Sequence, residues 1–143
     1  MKISTRGRYA LRVVIDLAEQ GTSAPVRLKD ISERQEISLK YLESIMTLLS
    51  KNNIVEGLSG KGGGYRLTRN PADYSVGEIL RLTEGSLAPI ACLDPGAKPC
   101  ERLAGCRTIG MWTKLNNLIN DYLDSVSIAD LMKENYTSDM YVI

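Results

Sequence analysis

The chain of 143 residues contains no histidine. Histidine is the commonest general base and a frequent zinc ligand, so its absence removes most side-chain arrangements typical of enzyme active sites. The sequence also has no apolar run of about 18 or more residues, the length that a membrane-spanning helix needs. The first eight residues lack the apolar core of a signal peptide, which predicts a cytoplasmic protein. We therefore expect neither an enzyme nor a membrane protein.

Positive and negative charges nearly balance over the whole chain but are unevenly distributed along it. Residues 1–70 carry twelve Lys and Arg against seven Asp and Glu, whereas residues 71–143 carry six against ten. A basic first half is typical of a protein that binds a polyanion, and the acidic second half argues against a uniformly basic, non-specific binder. The distribution favours a nucleic acid as the partner of the first half.

Three helices are predicted in the first 51 residues. Residues 9–18 place apolar side chains at helical spacing, and Gly21 follows as a stop signal. A two-turn helix is expected over 28–36 and a third helix over 39–51, with Ser38 as the N-cap of the third. The tight connection between the second and third helices is typical of the helix-turn-helix motif.

A β-hairpin is predicted directly after the third helix. The strand-like runs 54–58 and 64–68 are joined by residues 59–63, a glycine-rich turn that carries Lys61. This turn lacks the Gly-x-x-x-x-Gly-Lys-Ser/Thr pattern of a phosphate-binding loop. A hairpin in this position is a wing. We therefore expect the third helix to enter the major groove of DNA while Lys61 reaches a phosphate or the minor groove.

The second half is predicted to supply a dimer interface. A short capped helix is expected over 75–84, a Pro- and Gly-rich loop over 86–103, a long helix over 106–125, and a short last helix capped by Ser127. Apolar residues recur along the long helix every three or four positions: Ile109, Trp112, Leu115, Ile119, Tyr122 and Val126. This stripe packs either on its own domain or on a second copy, and palindromic DNA sites favour the second copy.

The predicted fold is therefore mainly α with a small β-hairpin wing, a winged helix-turn-helix, plus a long C-terminal dimerisation helix. Four segments follow from it: a DNA-binding domain (1–85), a cysteine-bearing loop (86–105), a dimerisation helix (106–126), and a short C-terminal helix with a tail (127–143).

Three cysteines, Cys92, Cys100 and Cys106, are the only ones in the chain and are spaced Cys-x7-Cys-x5-Cys. An odd number in a chain expected to be cytoplasmic disfavours a set of structural disulfides, and a Pro- and Gly-rich loop offers little core to bury isolated cysteines. Three thiolates on one loop suit an iron–sulfur cluster. Zinc, whose structural sites normally use Cys-x-x-Cys spacing, redox-active thiols and plain structural cysteines remain the alternatives.

Three separated segments resemble the IscR-type winged-helix regulators, the family that also includes the NsrR and CymR regulators. They are the opening 4–10, the helix-turn-helix segment 31–43 and the wing 60–65, and the likeness covers nearly the whole chain. The resemblance implies a two-fold dimer with the long helices crossed at its centre, a third helix that reads DNA, and a cluster bound by the three cysteines. It favours the cluster-bearing members over CymR, which lacks these cysteines.

The resemblance also implies that Ser38, Tyr41 and Glu43 face DNA. A carboxylate such as Glu43 repels phosphates but accepts a hydrogen bond from a cytosine amino group, and in IscR-like proteins this glutamate tunes which of two classes of site is bound. The alternative for Glu43 is a solvated helix face. The candidate DNA-binding residues of the third helix and the wing are Ser38, Lys40, Tyr41, Glu43, Ser44, Ser59 and Lys61.

Departures from the family pattern concern the wing and the fourth cluster ligand. Ser59 stands where IscR-like wings carry an arginine, so Lys61 is expected to substitute with weaker groove binding. Ile109 stands where IscR has a histidine ligand, and Arg8 stands where NsrR-like proteins have a carboxylate ligand. A [2Fe–2S] cluster is favoured, with [4Fe–4S] open. The candidate fourth ligands are Asp94 and Glu101, a group of the partner chain, or an exogenous ligand.

The chain ends in Tyr141-Val142-Ile143, an ending similar to that of CymR-like proteins. Serine acetyltransferases end in a similar way and dock their terminal isoleucine in cysteine synthase, so this tail is a candidate contact for cysteine synthase; a frayed terminus is the alternative. The first predicted function is a dimeric regulator that binds palindromic double-stranded DNA and senses iron–sulfur cluster status or oxidative and nitrosative stress. The alternative is a metal-free regulator of cysteine metabolism with thiol redox switching and a cysteine synthase partner.

Overall fold

The structure of the protein, a computed structural model, describes residues 1–21 and 23–133. The elements in chain order are α1 (Thr5–Gln20), α2 (Leu28–Gln35), α3 (Leu39–Lys51), β1 (Val55–Leu58), β2 (Gly64–Leu67), α4 (Val76–Glu84) and α5 (Ile109–Ser125). Single turns of 3-10 helix lie at Pro71–Asp73, Ala91–Leu93, Leu103–Gly105 and Ala129–Leu131. A mainly helical winged helix with a long fifth helix is what the sequence predicts, and this prediction is confirmed.

Serine side chains cap the starts of α1 and α4. Ser75 Oγ accepts a hydrogen bond from the N–H of Glu78 at 3.0 Å, as the sequence predicts for α4. Ser4 Oγ accepts from the N–H of Gly7 at 3.0 Å. Because Ser4 supplies this cap, α1 begins at Thr5, four residues before the stretch predicted from apolar spacing.

The hydrophobic core lies between α1, α3 and the base of the hairpin. The apolar face predicted for α3 is fully buried: Leu42, Ile45, Met46 and Leu49. Residues of α1 and α2 complete the same cluster, among them Val13, Val14, Leu17 and Ile31. The two strands pair antiparallel, with Val55 opposite Leu67 and Leu58 opposite Gly64, so the hairpin leaves the core at the end that follows α3.

An ion pair with a buried carboxylate joins α1 to the end of α2. Asp16 is only 3% exposed, and its carboxylate accepts two hydrogen bonds from Arg34, at 2.8 and 3.0 Å, and one from Gln35 Nε2 at 2.8 Å. The hydrogen bond to Asp16 raises the pKa of Arg34 above its ordinary value. Since Arg34 and Gln35 are the last two residues of α2, these bonds fix the point from which the chain turns into α3.

Tyr74 connects the wing to the rest of the domain. Its ring is fully buried, and its hydroxyl donates to the carbonyl of Ile54 at 2.8 Å while accepting from the N–H groups of Thr68 at 3.0 Å and Arg69 at 2.8 Å. The Arg69 guanidinium lies 4.2 Å from the centre of the Tyr74 ring and pairs with Glu78 of α4 at 2.6 Å. Both ends of the hairpin are therefore held by Tyr74, and Arg69 links the second of them to α4.

Helix α5 begins later than the sequence predicts. It starts at Ile109 rather than at Cys106, because Leu103–Gly105 forms a 3-10 turn and Cys106 after it is extended. The short helix predicted after Ser127 is a single 3-10 turn, Ala129–Leu131, although Ser127 Oγ does accept from the N–H of Asp130 at 3.1 Å as an N-cap would.

The apolar stripe predicted for α5 is divided between two faces. Two of its residues, Ile119 and Val126, pack together with Leu123 against α4 and the loop that follows it. Two others, Leu115 and Tyr122, are exposed and form one group with Met111 and Leu118, which the prediction did not include. We call this group, spaced by four, three and four residues, the α5 stripe: Met111, Leu115, Leu118 and Tyr122. The prediction merged the two groups because α5 is apolar on two neighbouring sides and only one of them is covered within the chain.

None of the helices in residues 1–21 and 23–133 is long and apolar enough to cross a membrane. The predicted partner tail, Tyr141, Val142 and Ile143, lies outside the described residues.

Candidate functional site

Helix α3 presents a polar face on its first two turns. Ser38, Lys40, Glu43 and Ser44 are exposed there, and Tyr41 is half-buried. Ser38 Oγ accepts from the N–H of Tyr41 at 3.3 Å, and Ser44 Oγ donates to the carbonyl of Tyr41 at 2.7 Å. The Ser38 hydroxyl can still donate and the Ser44 hydroxyl can still accept, so both retain a role for a ligand. The structure thus brings the five predicted α3 residues onto one surface; that they contact DNA stays a prediction.

The wing carries the other two predicted residues, Ser59 and Lys61, and both are exposed in its turn. Its second strand is anchored near the turn by the pair Val26 and Tyr65, which exchange two backbone hydrogen bonds at 2.7 and 2.8 Å. Gly64 is required at this contact, because a Cβ there would stand 2.3 Å from the carbonyl oxygen of Val26. The wing is therefore anchored through its second strand and exposed at its tip.

The start of α1 borders the polar face of α3, which the sequence reasoning did not foresee. Arg6 Nη2 donates to the carbonyl of Ser44 at 3.5 Å, and the ring of Tyr9 meets the ring of Tyr41 edge-on, with centres 5.7 Å apart. We call Arg6, Arg8 and Arg12 the α1 arginines. The signal in the sequence that points to them is the basic character of residues 2–12.

The three cysteines line one pocket of about 460 Å³ at the start of α5. Cys92 lies in the 3-10 turn Ala91–Leu93, Cys100 in the loop that follows, and Cys106 just before α5. Most of the remaining wall is apolar, with Ile90, Leu93, Leu103, Ile109 and Trp112 among its residues. Ile109 and Trp112, predicted as part of the dimer stripe, therefore contribute to the cysteine pocket.

Cys106 has a distinct chemical environment within this pocket. Its Sγ lies 3.6 Å from Thr108 Oγ1, and backbone groups of Thr108 and Ile109, at the start of α5, also hydrogen-bond to it. The hydrogen bond from the Thr108 side chain, helped by those from the backbone, stabilises the thiolate and lowers the pKa of the Cys106 thiol. A thiolate at a helix N-terminus is the form that binds metals and attacks electrophiles.

The donor chemistry of the pocket suits an iron–sulfur cluster, because thiolates are the usual ligands of such clusters. Within residues 1–21 and 23–133, no three His, Cys, Asp or Glu side chains stand close enough together to hold a metal ion. Asp94 and Glu101 are exposed and are not among the residues that line the pocket. The pocket thus gathers the three predicted cysteines without the two predicted carboxylates, whose role as ligands stays a prediction.

Alkylation of Cys106 is expected to reach half of its maximal rate at a lower pH than alkylation of an ordinary thiol, whose pKa is about 8.5. The hydrogen bonds that lower the pKa of Cys106 make the thiolate appear at lower pH. The test is the rate of reaction with iodoacetamide against pH, in metal-free Cys92→Ser/Cys100→Ser protein. Thr108→Val should move the midpoint upward, whereas Thr113→Val, on the wall of the same pocket, should not. An unmoved midpoint in Thr108→Val would contradict the assignment.

A set of contacts leads from the cysteine loop to α3 by way of α1. Glu84, the last residue of α4, accepts from the N–H of Ser4 and, at 2.7 Å, from Ser4 Oγ. Burial opposes ionisation of Glu84, but these hydrogen bonds outweigh it and lower the pKa of Glu84. Ser4 caps α1, and Arg6, two residues further on, reaches Ser44 of α3. The residue that precedes the cysteine loop by one glycine is thus connected to the polar face of α3.

The sequence matches the family described as "Rrf2: Iron-dependent Transcriptional regulator" over residues 3–134. The chain belongs to the Rrf2 family. Among its curated relatives, IscR of Aliivibrio salmonicida is 38% identical over 135 residues, which cover 94% of this chain and 79% of the relative. The putative HTH-type transcriptional regulator ORF2 of Azotobacter vinelandii is 37% identical over 140 residues, which cover 98% of this chain and 84% of the relative.

Solved structures show the same fold. CymR of B. subtilis, described as the global cysteine regulator, matches with a TM-score of 0.75 at 31% identity, covering 94% of this chain and 98% of the other. IscR of T. potens matches with a TM-score of 0.71 at 33% identity, covering 99% and 96%. These relatives confirm that the Rrf2 chain is a DNA-binding transcription regulator with a winged helix, and not an enzyme. IscR and CymR are both among these relatives, so the comparisons do not distinguish a cluster-sensing regulator from a regulator of cysteine metabolism.

Proposed function

We propose that this Rrf2-family chain is a homodimeric regulator whose binding to palindromic DNA depends on an iron–sulfur cluster held by Cys92, Cys100 and Cys106. The observation that carries the proposal is the shared pocket, in which cysteines up to fourteen positions apart line one cavity. Structural cysteines are usually buried as small apolar residues. Here Cys92 and Cys100 are exposed and Cys106 is partly exposed, as accessible ligands need to be. A bound cluster would supply iron chemistry that responds to oxidants and nitric oxide.

In this proposal α3 and the wing supply the contacts to DNA. The exposed first turns of α3 are suited to the major groove, where the N-terminal residues of a recognition helix meet base edges. Lys40 adds a positive charge to this surface, and Glu43 can accept a hydrogen bond from a cytosine amino group. Lys61, exposed at the tip of the wing, is placed to neutralise a phosphate beside the groove.

The α5 stripe supplies the dimer contact. Its four large apolar side chains are 38–68% exposed, although monomeric proteins rarely expose contiguous apolar patches of substantial size. The occupant that we propose is the same stripe of a second copy, because a two-fold axis places one surface against itself. Two recognition helices related in this way read two half-sites of a palindrome, about one helical turn apart or a multiple of it.

We propose that the cysteine site is coupled to DNA binding through a population shift of the cysteine loop. The loop exists in an ordered and a less ordered state, and a bound cluster favours the ordered one. Glu84 and Leu87 stand where this loop leaves α4. Glu84 holds the N-cap of α1, and Leu87 packs in the cluster that also contacts Ile3. A change in the loop therefore reaches α1 and, through Arg6, α3. The expected coupling between the cysteine site and DNA binding is on the order of 1–3 kcal/mol.

Anaerobic purification followed by visible absorption and analysis of iron and sulfide tests the cluster. Wild-type protein should be coloured and hold about two irons and two sulfides per chain for [2Fe–2S], or about four of each for [4Fe–4S]. Alanine at Cys92, Cys100 or Cys106 should remove most of the iron, whereas Thr113→Ala, in the same pocket, should not. Asp94→Ala and Glu101→Ala test the fourth ligand. A colourless wild-type protein that holds no iron after anaerobic purification would overturn the proposal.

A metal-free regulator of cysteine metabolism is the second candidate, because the stabilised thiolate of Cys106 would also react with an oxidant or an electrophile. In that case the three cysteines act as redox-active thiols, with Cys106 reacting first because its thiolate is stabilised. The same purification separates the candidates: iron-free protein with three reactive thiols and redox-dependent DNA binding supports the second, whereas stoichiometric iron and sulfide support the first. Zinc without sulfide would contradict both.

A further inference from the structure

The α1 arginines differ from the other arginines of the winged helix in what neutralises them. Eight arginines lie in residues 1–85. Five of them pair with a carboxylate: Arg27 with Asp30, Arg34 with Asp16, Arg66 with Glu56, Arg69 with Glu78 and Arg81 with Asp124. The remaining three are Arg6, Arg8 and Arg12, and none of the ion pairs found within the described residues includes them.

Neutral groups hold each α1 arginine in place. Arg6 donates to the carbonyl of Ser44, and Arg8 Nη2 donates to Thr5 Oγ1 at 3.1 Å. Arg12 donates to the backbone carbonyl and to the side-chain oxygen of Gln35, the second of these at 3.3 Å, and its guanidinium lies 4.9 Å from the centre of the Tyr9 ring. These contacts orient the guanidinium groups but leave their charges uncompensated. Each guanidinium has five N–H donors, so donors remain for an external anion.

Arg6 contacts the proposed DNA-binding face of α3, whereas Arg8 and Arg12 contact Thr5 and Tyr9, which border that face. A groove of about 420 Å³ separates the start of α1 from the start of α3, and Thr5 and Tyr9 line one side of it while Ser38 and Tyr41 line the other. Glu36 also lines this groove, so a phosphate is repelled there and attracted toward the arginines of α1. Arg6 reaches Ser44 itself. The α1 arginines therefore extend the α3 surface sideways, where the sugar–phosphate backbone runs beside a helix lying in the groove.

We propose that Arg6, Arg8 and Arg12 form a second DNA contact, which binds the phosphate backbone of the duplex next to the groove that α3 occupies. Its ligand is duplex DNA of any sequence, because phosphate contacts carry no base information. The inference rests on the proposed DNA-binding face of α3. It assigns to the α1 arginines the part of the affinity for DNA that does not depend on base sequence.

Salt dependence of binding measures this contact directly. The slope of log K against log salt concentration is about −0.9 for each phosphate neutralised, and a substitution acts twice in a dimer. Arg6→Gln, Arg8→Gln and Arg12→Gln should therefore each reduce the magnitude of the slope by about 1.8 per dimer. Affinity should fall by the same factor for a duplex selected from a random pool and for an unselected duplex of equal length. Fluorescence anisotropy of both duplexes across a salt series gives these values.

Controls separate this inference from the proposed function. Lys133→Gln removes a charge at the other end of α1, where the Lys133 N–H meets Glu19, about 21 Å from Thr5 along the helix. It should leave the slope unchanged. Arg8→Lys keeps the charge and should therefore keep the slope of the wild type. If Arg6→Gln or Arg12→Gln prevents folding, Arg8→Gln alone still tests the inference. A steep wild-type slope that Arg8→Gln and the triple variant leave unchanged would overturn the inference alone. A wild-type protein that binds neither duplex would overturn the proposed function.

Discussion

Replacing Arg34 with leucine is expected to lower the free energy of unfolding by about 3 kcal/mol. The substitution takes two hydrogen bonds from the carboxylate of Asp16, which is 3% exposed and keeps only its bond from Gln35. Breaking a buried ion pair typically costs about 3–5 kcal/mol. The side chain of Arg34 is 38% exposed, so water reaches that side of the pair and the lower end of the range applies. Urea unfolding followed by circular dichroism, at one protein concentration, measures the change.

Arg27→Leu is the matched control, because Arg27 pairs with Asp30 on the surface, where the two side chains are 72% and 37% exposed. Its expected cost is below about 1 kcal/mol. A second comparison uses Asp16→Asn, which should destabilise the wild type but stabilise Arg34→Leu, since in that variant it removes an unpaired buried charge. If Arg34→Leu costs no more than Arg27→Leu, the pair does not hold α2 as described.

The elements that the sequence predicts well are those whose signal is local. The buried face of α3 follows from the spacing of Leu42, Ile45, Met46 and Leu49, and the cap at Ser75 needs only the residues that follow it. The hairpin follows from the switch from helical spacing to two short runs around a glycine-rich turn. In each case the residues that decide the structure are close together in the chain, so periodicity, capping and turn rules are sufficient.

The features that the sequence analysis missed depend on residues that are distant in the chain. Ser4 starts α1 early while it is held by Glu84, eighty positions away. The α1 arginines stand out only when the other five arginines are seen to be paired, and most of those partners lie on other elements. The cysteine spacing predicted a shared site, but not that Trp112 of α5 would form part of its wall while Asp94 and Glu101 would not. Such relations arise from tertiary packing, which no local pattern encodes.

Helix α5 shows this limit most directly. Its sequence has apolar residues on two neighbouring sides, and a repeat of three and four positions does not tell which side a second copy covers. Packing decides it: Ile119 faces α4, whereas Leu118, one position earlier, is 58% exposed. The expected dimer surface is therefore rotated from the one that the periodicity predicts.

Leu118→Asp is expected to convert the dimer into monomers and to weaken binding to a palindromic duplex by about 100-fold or more. The new carboxylate lies in the α5 stripe, where a second copy would bury it without a partner. Folding of the single chain should be little affected, because Leu118 is exposed within it. Light scattering at several protein concentrations gives the oligomeric state, and anisotropy with a selected palindrome and with its single half-site gives the affinities. Binding to the half-site should change little, since only the linkage between two α3 helices is lost.

Asn117→Asp is the matched control, because it changes the charge equally, is also exposed, and lies about 100° around the helix from Leu118. It should remain dimeric and bind the palindrome as the wild type does. Ile119→Asp places the same charge on the face that packs against α4, so it should lower the thermal unfolding midpoint rather than separate folded subunits. If Leu118→Asp stays dimeric while Ile119→Asp gives folded monomers, the dimer surface is the side of α5 predicted from periodicity, and the exposed stripe has another occupant. The three variants occupy successive positions of one helix, so the comparison isolates the direction in which each carboxylate points.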